Sequence, residues 1–287
     1  MKNNSDVVLL ISSCDLYEDA WNPFFRLLEA NWPDCPETIY LLTETKTYVD
    51  SYFKVKCIHS TERYWSDRMM AALEDVKEKY LWFFLEDFFL EEKVNNEIAE
   101  AAVNCIKNNS DVGVIRFIPE ISARWYTDAV IERYFSPIPK DFPQRSNLML
   151  ALYNKDYFKR MLRSKETPWD FEKFGKHRSR IYKDEVLIQT VDYPLAFPYN
   201  YSIAKEIGIS QRKWMRKTKE LFDRYHLSVD YENLGWYEKP KWNGKTRKEK
   251  WMLLFEDSAV FWGLIKSRIT DRTHTVAHFF RNIKDYL

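Results

Sequence analysis

An α/β fold with a mixed, mostly parallel central sheet flanked by helices is predicted by three features of the sequence. Short apolar runs of strand length, VVLLIS at 7–12, TIYLLTET at 38–45 and YLWFFL at 80–85, show little polar alternation, as strands buried on both faces do. Between them lie segments whose apolar residues recur at helical spacing. Strand and helix then alternate, the pattern of parallel βαβ units.

Taken in order, VVLLIS is the first strand and SCDLYED the loop that leaves it. DAWNPFFRLLEANW places Trp21, Phe24, Phe25, Leu28 and Trp32 on one helical face, and Pro33 and Pro36 end that helix. A second strand at 38–45 and a short third at 55–59 precede a helix over 65–80, with Ser66 as its expected N-cap. YLWFFLEDFFLEE, 80–92, is the fourth strand; a helix over 95–108 and a strand over 112–119 follow. Beyond 120 the signals thin to a proline-rich loop SPIPKDFPQ, a strand LMLALYN, a helix KDYFKRMLR, and the segments TPWDFEKFG and PLAFPYNYS.

Composition narrows the function classes. With 287 residues, 45% hydrophobic and 17% aromatic, the chain can bury a large core and is not disordered overall. It holds only 6 glycines and neither GxxxxGK[ST] nor GxGxxG, so phosphate-loop and dinucleotide-binding readings lack a motif. Cys14, Cys35, Cys57 and Cys105 are scattered without a CxxC pair, which points to a reducing compartment. The apolar run near the N-terminus is too short for a secretory or membrane-spanning segment, so a cytoplasmic protein is expected, with a peripheral position on the inner face of the plasma membrane left open.

Charge is unevenly distributed. From Lys205 onward there are 18 basic and 11 acidic residues, net +7, whereas the first 204 residues hold 26 basic and 32 acidic, net −6. We therefore expect a body over 1–204 and a basic, aromatic-rich, mainly helical C-terminal extension over 205–287 that meets something anionic or docks on the acidic body. In the extension, Trp251, Leu254, Phe255, Phe261, Trp262 and Ile265 form an apolar stripe flanked by lysines, which suits either an anionic membrane surface or packing on the body. The acidic first two-thirds argues against nucleic acid as a partner. His274 and His278 at i and i+4 lack the glutamate of a zinc-hydrolase motif and are read as ordinary surface.

Ligands of open α/β sheets bind beyond the carboxyl ends of the strands, and Ser13, Cys14, Asp15, Thr43, Glu44, Glu86 and Asp87 all fall there. A helix opening with Asp67 and Arg68, followed by a hydrophobic strand ending in paired acids (WSDRMMAAL…YLWFFLEDFFL), resembles the GT-A glycosyltransferases. Among these it is most similar to bacterial family 2-like enzymes of capsule and lipopolysaccharide assembly, over roughly residues 7–200.

The resemblance implies a Rossmann-type GT-A sheet, a UDP- or GDP-sugar donor and a glycan or lipid-linked glycan acceptor. It also implies Mn²⁺ or Mg²⁺ held on the donor diphosphate by Asp87, with Glu86 on the ribose or on a metal-bound water. Many relatives have Asp where this chain has Glu86. Ser13, Asp15, Glu44, Asp67 and Arg68 would line the nucleotide pocket, and Arg212 or Lys213 would reach the diphosphate. Asp170 or Glu172 would take the acceptor proton, beside Trp169 as a flat surface for a sugar. The alternatives are a helix cap at Asp170, an exposed acidic turn at Glu86–Asp87 and a structural ion pair at Arg68. A sugar-phosphate nucleotidyltransferase shares a related sheet but opens with a glycine-rich loop, which SSCDLYED lacks. A non-catalytic membrane-surface binding module is the second rival.

Overall fold

The computed structural model describes residues 5–118, 131–142, 144–199 and 208–238. Among the described residues, ten strands and six α-helices run in the order β1 (Val7–Ser12), α1 (Glu18–Asn31), β2 (Ile39–Thr43), β3 (Val55–His59), α2 (Trp65–Asp75), β4 (Tyr80–Leu85), α3 (Asn96–Asn108), β5 (Val112–Arg116), β6 (Phe135–Pro137), β7 (Ala151–Asn154), α4 (Lys155–Met161), α5 (Pro168–Ile181), β8 (Glu185–Gln189), β9 (Ile209–Ser210), β10 (Lys213–Trp214) and α6 (Arg216–Arg224).

Eight strands form one sheet in the order β3-β2-β1-β4-β7-β5-β8-β6. The pairs β2–β3, β1–β2, β1–β4 and β5–β8 are parallel, while β7 and β6 run against their neighbours. This is the mixed, mostly parallel sheet the sequence predicts. The chain leaves β1 toward β2 on one side and returns to β4 on the other. The carboxyl ends of β1 and β4 are therefore a topological switch point, where such sheets open a crevice.

Burial on both faces explains the unbroken apolar runs. Tyr80, Trp82 and Phe84 of β4 enter the core that contains α1 and α3, and Leu81 and Phe83 enter the opposite core with α2, α4 and α5. Aromatic side chains dominate the first core. Trp82 lies edge-on to Trp32, with ring centroids 5.6 Å apart, and packs on Phe117 and Phe197.

Several boundaries differ from the sequence reading. Ser66 does not cap α2: it is buried in the first turn, where its hydroxyl accepts the Glu166 N–H at 2.9 Å. The strand expected over 148–154 is paired only at Ala151–Asn154. β6 and β8 lie where no strand was expected. Residues 208–237 belong to the body. Ile209, Trp214, Leu221, Phe222 and Leu234 join the first core, and Phe89 stacks on Trp214 with its edge partner Phe222 at 4.9 Å. The compact unit runs to Tyr237, so the boundary expected after residue 204 falls inside it. The apolar stripe at 251–265 and the two tail histidines lie outside the described residues.

Candidate active site

The switch point is built by the last residues of β1 and β4. Ser12 pairs with Leu85 in parallel register, which sets Ser13 beside Glu86 just beyond the sheet. A tight turn, with the Phe88 N–H donating to the Leu85 carbonyl at 3.1 Å, holds Glu86 and Asp87 at that edge. Both acids are buried, 7% and 5% exposed. The exposed acidic turn weighed from the sequence is therefore corrected. Hydrophobic residues on either side draw the pair inward.

Burial raises the pKa of Glu86 well above the ordinary range, and the adjacent Asp87 charge adds to it; the Ser13 hydroxyl favours the charged form. Burial likewise raises Asp87, against the Ile209 N–H that donates to its Oδ2 at 3.1 Å. Neither acid forms an ion pair among the described residues. Nearby groups feel the same field. Burial, then Glu86, pushes the Tyr17 hydroxyl up to about 12, while Arg212 opposes the shift. The Cys14 thiol goes up to about 11 by burial and then the Glu86 and Glu44 charges, so it is no nucleophile near neutral pH.

No group of three or more His, Cys, Asp or Glu side chains suited to a metal occurs among the described residues. Two buried carboxylates that form no ion pair among the described residues nevertheless fit a divalent ion that takes its remaining ligands from a diphosphate.

Asp15 and Glu44 serve each other. The Asp15 carboxylate accepts the N–H groups of Glu44 at 2.9 Å and Thr45 at 3.0 Å and the Thr45 hydroxyl at 2.6 Å. Burial works against its charge, yet these bonds outweigh it and lower the pKa. Glu44 accepts the Asp15 N–H at 2.7 Å and pairs with Arg68. The two acids and Arg68 thus clasp the loops after β1 and β2. Asp67 accepts the Lys165 N–H at 3.2 Å, tying α2 to the turn before α5.

The second constellation sits at the start of α5. Thr167 is the N-cap and Asp170 its reciprocal partner, accepting the Thr167 hydroxyl at 2.7 Å and N–H at 3.1 Å. The helix cap weighed at Asp170 from the sequence is therefore corrected: Thr167 is the N-cap, and Asp170 serves it from the third helical position. Glu172 faces elsewhere: it accepts the Leu148 N–H at 2.8 Å, and burial raises its pKa against that bond and the Arg116 charge. Trp169 is 76% exposed. Phe171 packs edge-on against Trp65 at 5.5 Å, and the Trp65 indole donates to Ser12 Oγ at 3.1 Å, coupling this helix to the end of β1.

Sequence reasoning placed Lys213 at the site. It is exposed on β10, opposite buried Trp214, and Arg212 at the turn is the cation whose field reaches Tyr17. Tyr17 and the Ile209 N–H were missed. The one signal for the latter is Gly208, one of only six glycines, where a Cβ would meet the Phe89 ring and lie 2.9 Å from the Asp87 carbonyl oxygen.

No family model matches the chain, and no curated protein does. Solved structures with a related shape include Staphylococcus aureus TarS, residues 1–349, in complex with UDP-GlcNAc: 10% identity, TM-score 0.44, covering 68% of this chain and 57% of that one. A cytidylyltransferase from Leptospira borgpetersenii matches at 10% identity and TM-score 0.41, over 64% of this chain and 76% of that one. CMP:2-keto-3-deoxy-manno-octonic acid synthetase complexed with CTP matches at 12% identity and TM-score 0.35, over 64% and 89%. The chain spans less than two thirds of the TarS chains it matches.

Proposed function

We propose that this chain is a glycosyltransferase that moves a sugar from a UDP- or GDP-sugar to a glycan or lipid-linked glycan of the cell surface. The observation that carries the reading is the buried pair Glu86–Asp87 at the β1/β4 switch point, which forms no ion pair among the described residues. Keeping both acids charged in that place is costly unless a cation joins them, and a nucleotide diphosphate with its metal supplies one. Mn²⁺ or Mg²⁺ held by Asp87 would neutralise charge on the departing diphosphate. Arg212, on the turn of the hairpin tied to Asp87, would meet the phosphates, with Lys213 beside it in sequence.

In the reaction, the acceptor hydroxyl oxygen bonds to the anomeric carbon as the bond from that carbon to the diphosphate breaks. The hydroxyl proton passes to a carboxylate. Glu172 suits this step better than Asp170, because Asp170 is committed to the helix cap, whereas burial raises the Glu172 carboxyl above the ordinary range. Ser13 orients Glu86, and the Asp15–Glu44–Arg68 clasp fixes the pocket rim. The loop after β1, SSCDLYED, contains no glycine, which disfavours nucleotidyl transfer. No described helix is long and apolar enough to cross a membrane, and a peripheral role for residues beyond 238 is part of the proposal.

The test is a thermal-shift screen of UDP, GDP, CTP and the corresponding nucleotide sugars with and without Mn²⁺, followed by donor hydrolysis. Stabilisation by a nucleoside diphosphate that deepens with Mn²⁺, and release of free sugar, are expected. Stabilisation by CTP alone would overturn the reading.

A further inference from the structure

Arg212–Lys219 holds five cations and no acid, more than a donor diphosphate needs. The structure sets Arg212, Lys213, Arg216, Lys217 and Lys219 all on the surface, along the β9–β10 turn and the first turns of α6. Lys219 bonds Asp223 at 2.6 Å, but Arg212, Lys213 and Lys217 form no ion pair among the described residues.

Two local rules are broken here. Cations open α6, which has no acid in its first turn and no side-chain cap from Met215, although the helix dipole favours negative charge at that end. Gln211 and Arg212 take left-handed φ angles of 50° and 64° in a turn where Gly or Asn costs less. Departures of this kind are kept where side chains serve a ligand. The apolar neighbours Trp214, Met215, Leu221 and Phe222 are buried in the body, so the strip offers lipid no hydrophobic face. It recognises charge alone. The hairpin that carries it is tied to the acids of the opening: β10 pairs with β9, and the Ile209 N–H of β9 donates to Asp87 Oδ2 at 3.1 Å.

We propose that this basic lip binds an anionic acceptor: a glycan chain bearing phosphodiester or carboxylate groups, whose hydroxyl it presents to the site. The inference rests on the glycosyltransferase reading and adds the acceptor's chemical class.

The experiment titrates the full-length protein with dextran sulfate and with neutral dextran of matched length. Dextran sulfate alone should bind, and affinity should fall by about tenfold or more as salt screens the contact. Lys217→Glu with Lys219→Glu should weaken it by about tenfold while the melting temperature and the shift produced by UDP stay unchanged. Equal affinity for both polymers, undiminished binding by the variant, or preference for anionic phospholipid vesicles over dextran sulfate would overturn the proposal. Absence of any nucleotide shift with intact dextran sulfate binding sinks the glycosyltransferase reading and the acceptor assignment with it. A nucleotide shift without dextran sulfate binding sinks this inference alone.

Discussion

The backbone N–H of Ile209 donates to Asp87 Oδ2 at 3.1 Å, joining residues 122 positions apart. One oxygen of the acid anchors the β9–β10 hairpin, and its charge is what the proposed metal would need. A hydrogen bond to a charged group contributes about 1.5–3 kcal/mol, so the two uses of Asp87 can be separated by substitution.

Asp87→Asn keeps an amide oxygen for Ile209 but loses the charge. The variant should melt close to the parent, lose most of the Mn²⁺-dependent stabilisation by nucleotide, and transfer no sugar. Asp87→Ala should in addition lose about 1–3 kcal/mol in urea unfolding. Full transfer by the Asn variant would remove Asp87 from the site.

The two carboxylates of α5 should separate in kinetics. Asp170→Ala breaks the capping box and should cost about 1 kcal/mol of stability with little change in turnover. Glu172→Gln retains an acceptor for the Leu148 N–H and should leave donor binding intact while cutting turnover roughly 10²–10⁴-fold. The reverse pattern would return the base to Asp170.

Glu91 gives a pH signature outside the site. The residue is 5% exposed, and burial pushes its pKa up to about 7, with Arg224 opposing and Glu92 adding. An unfolded glutamate titrates near about 4.3. From there to about 7 the native chain holds a proton that the unfolded chain has released, so this contribution to stability is full at low pH and is lost as pH rises through the window. The loss should be on the order of 1–3 kcal/mol between pH ~4.5 and ~8. Glu91→Gln should flatten that slope, measured by urea unfolding across the range; an unchanged slope would refute the assignment.

Gly208→Ala should lower stability by about 1–3 kcal/mol, because its Cβ would strike the Phe89 ring and crowd the Asp87 carbonyl. Limited proteolysis should cut first near the loosened hairpin. A parent-like melting curve would show that Phe89 gives way freely.

The first half of the fold was legible because its signals are local. β1, β2 and β4 are continuous apolar runs, and α1 and α3 carry one-sided apolar spacing. β6 escaped notice because it is three residues long, ends in Pro137 and lies at the sheet edge, where proline is tolerated. The insertion of β7 between β4 and β5 depends on pairings far apart in sequence. At the site, Glu86 and Asp87 stood out as charges inside an apolar run. The helix-capping geometry that separates Asp170 from Glu172 needed coordinates, and so did the Ile209 contact. Asp15 and Glu44 were placed correctly at strand ends, but residue type did not reveal that each would satisfy the other.

The position of β7 has a consequence for synthesis. β4 is covered on one edge by β1 as soon as both exist, but its other edge pairs only with Ala151–Asn154. Until those residues leave the ribosome, the hexapeptide YLWFFL presents an unpaired, uncharged, aromatic strand edge, the kind that recruits other chains. Nascent chains arrested between Leu85 and Ala151 are therefore the species in which this protein most needs a chaperone.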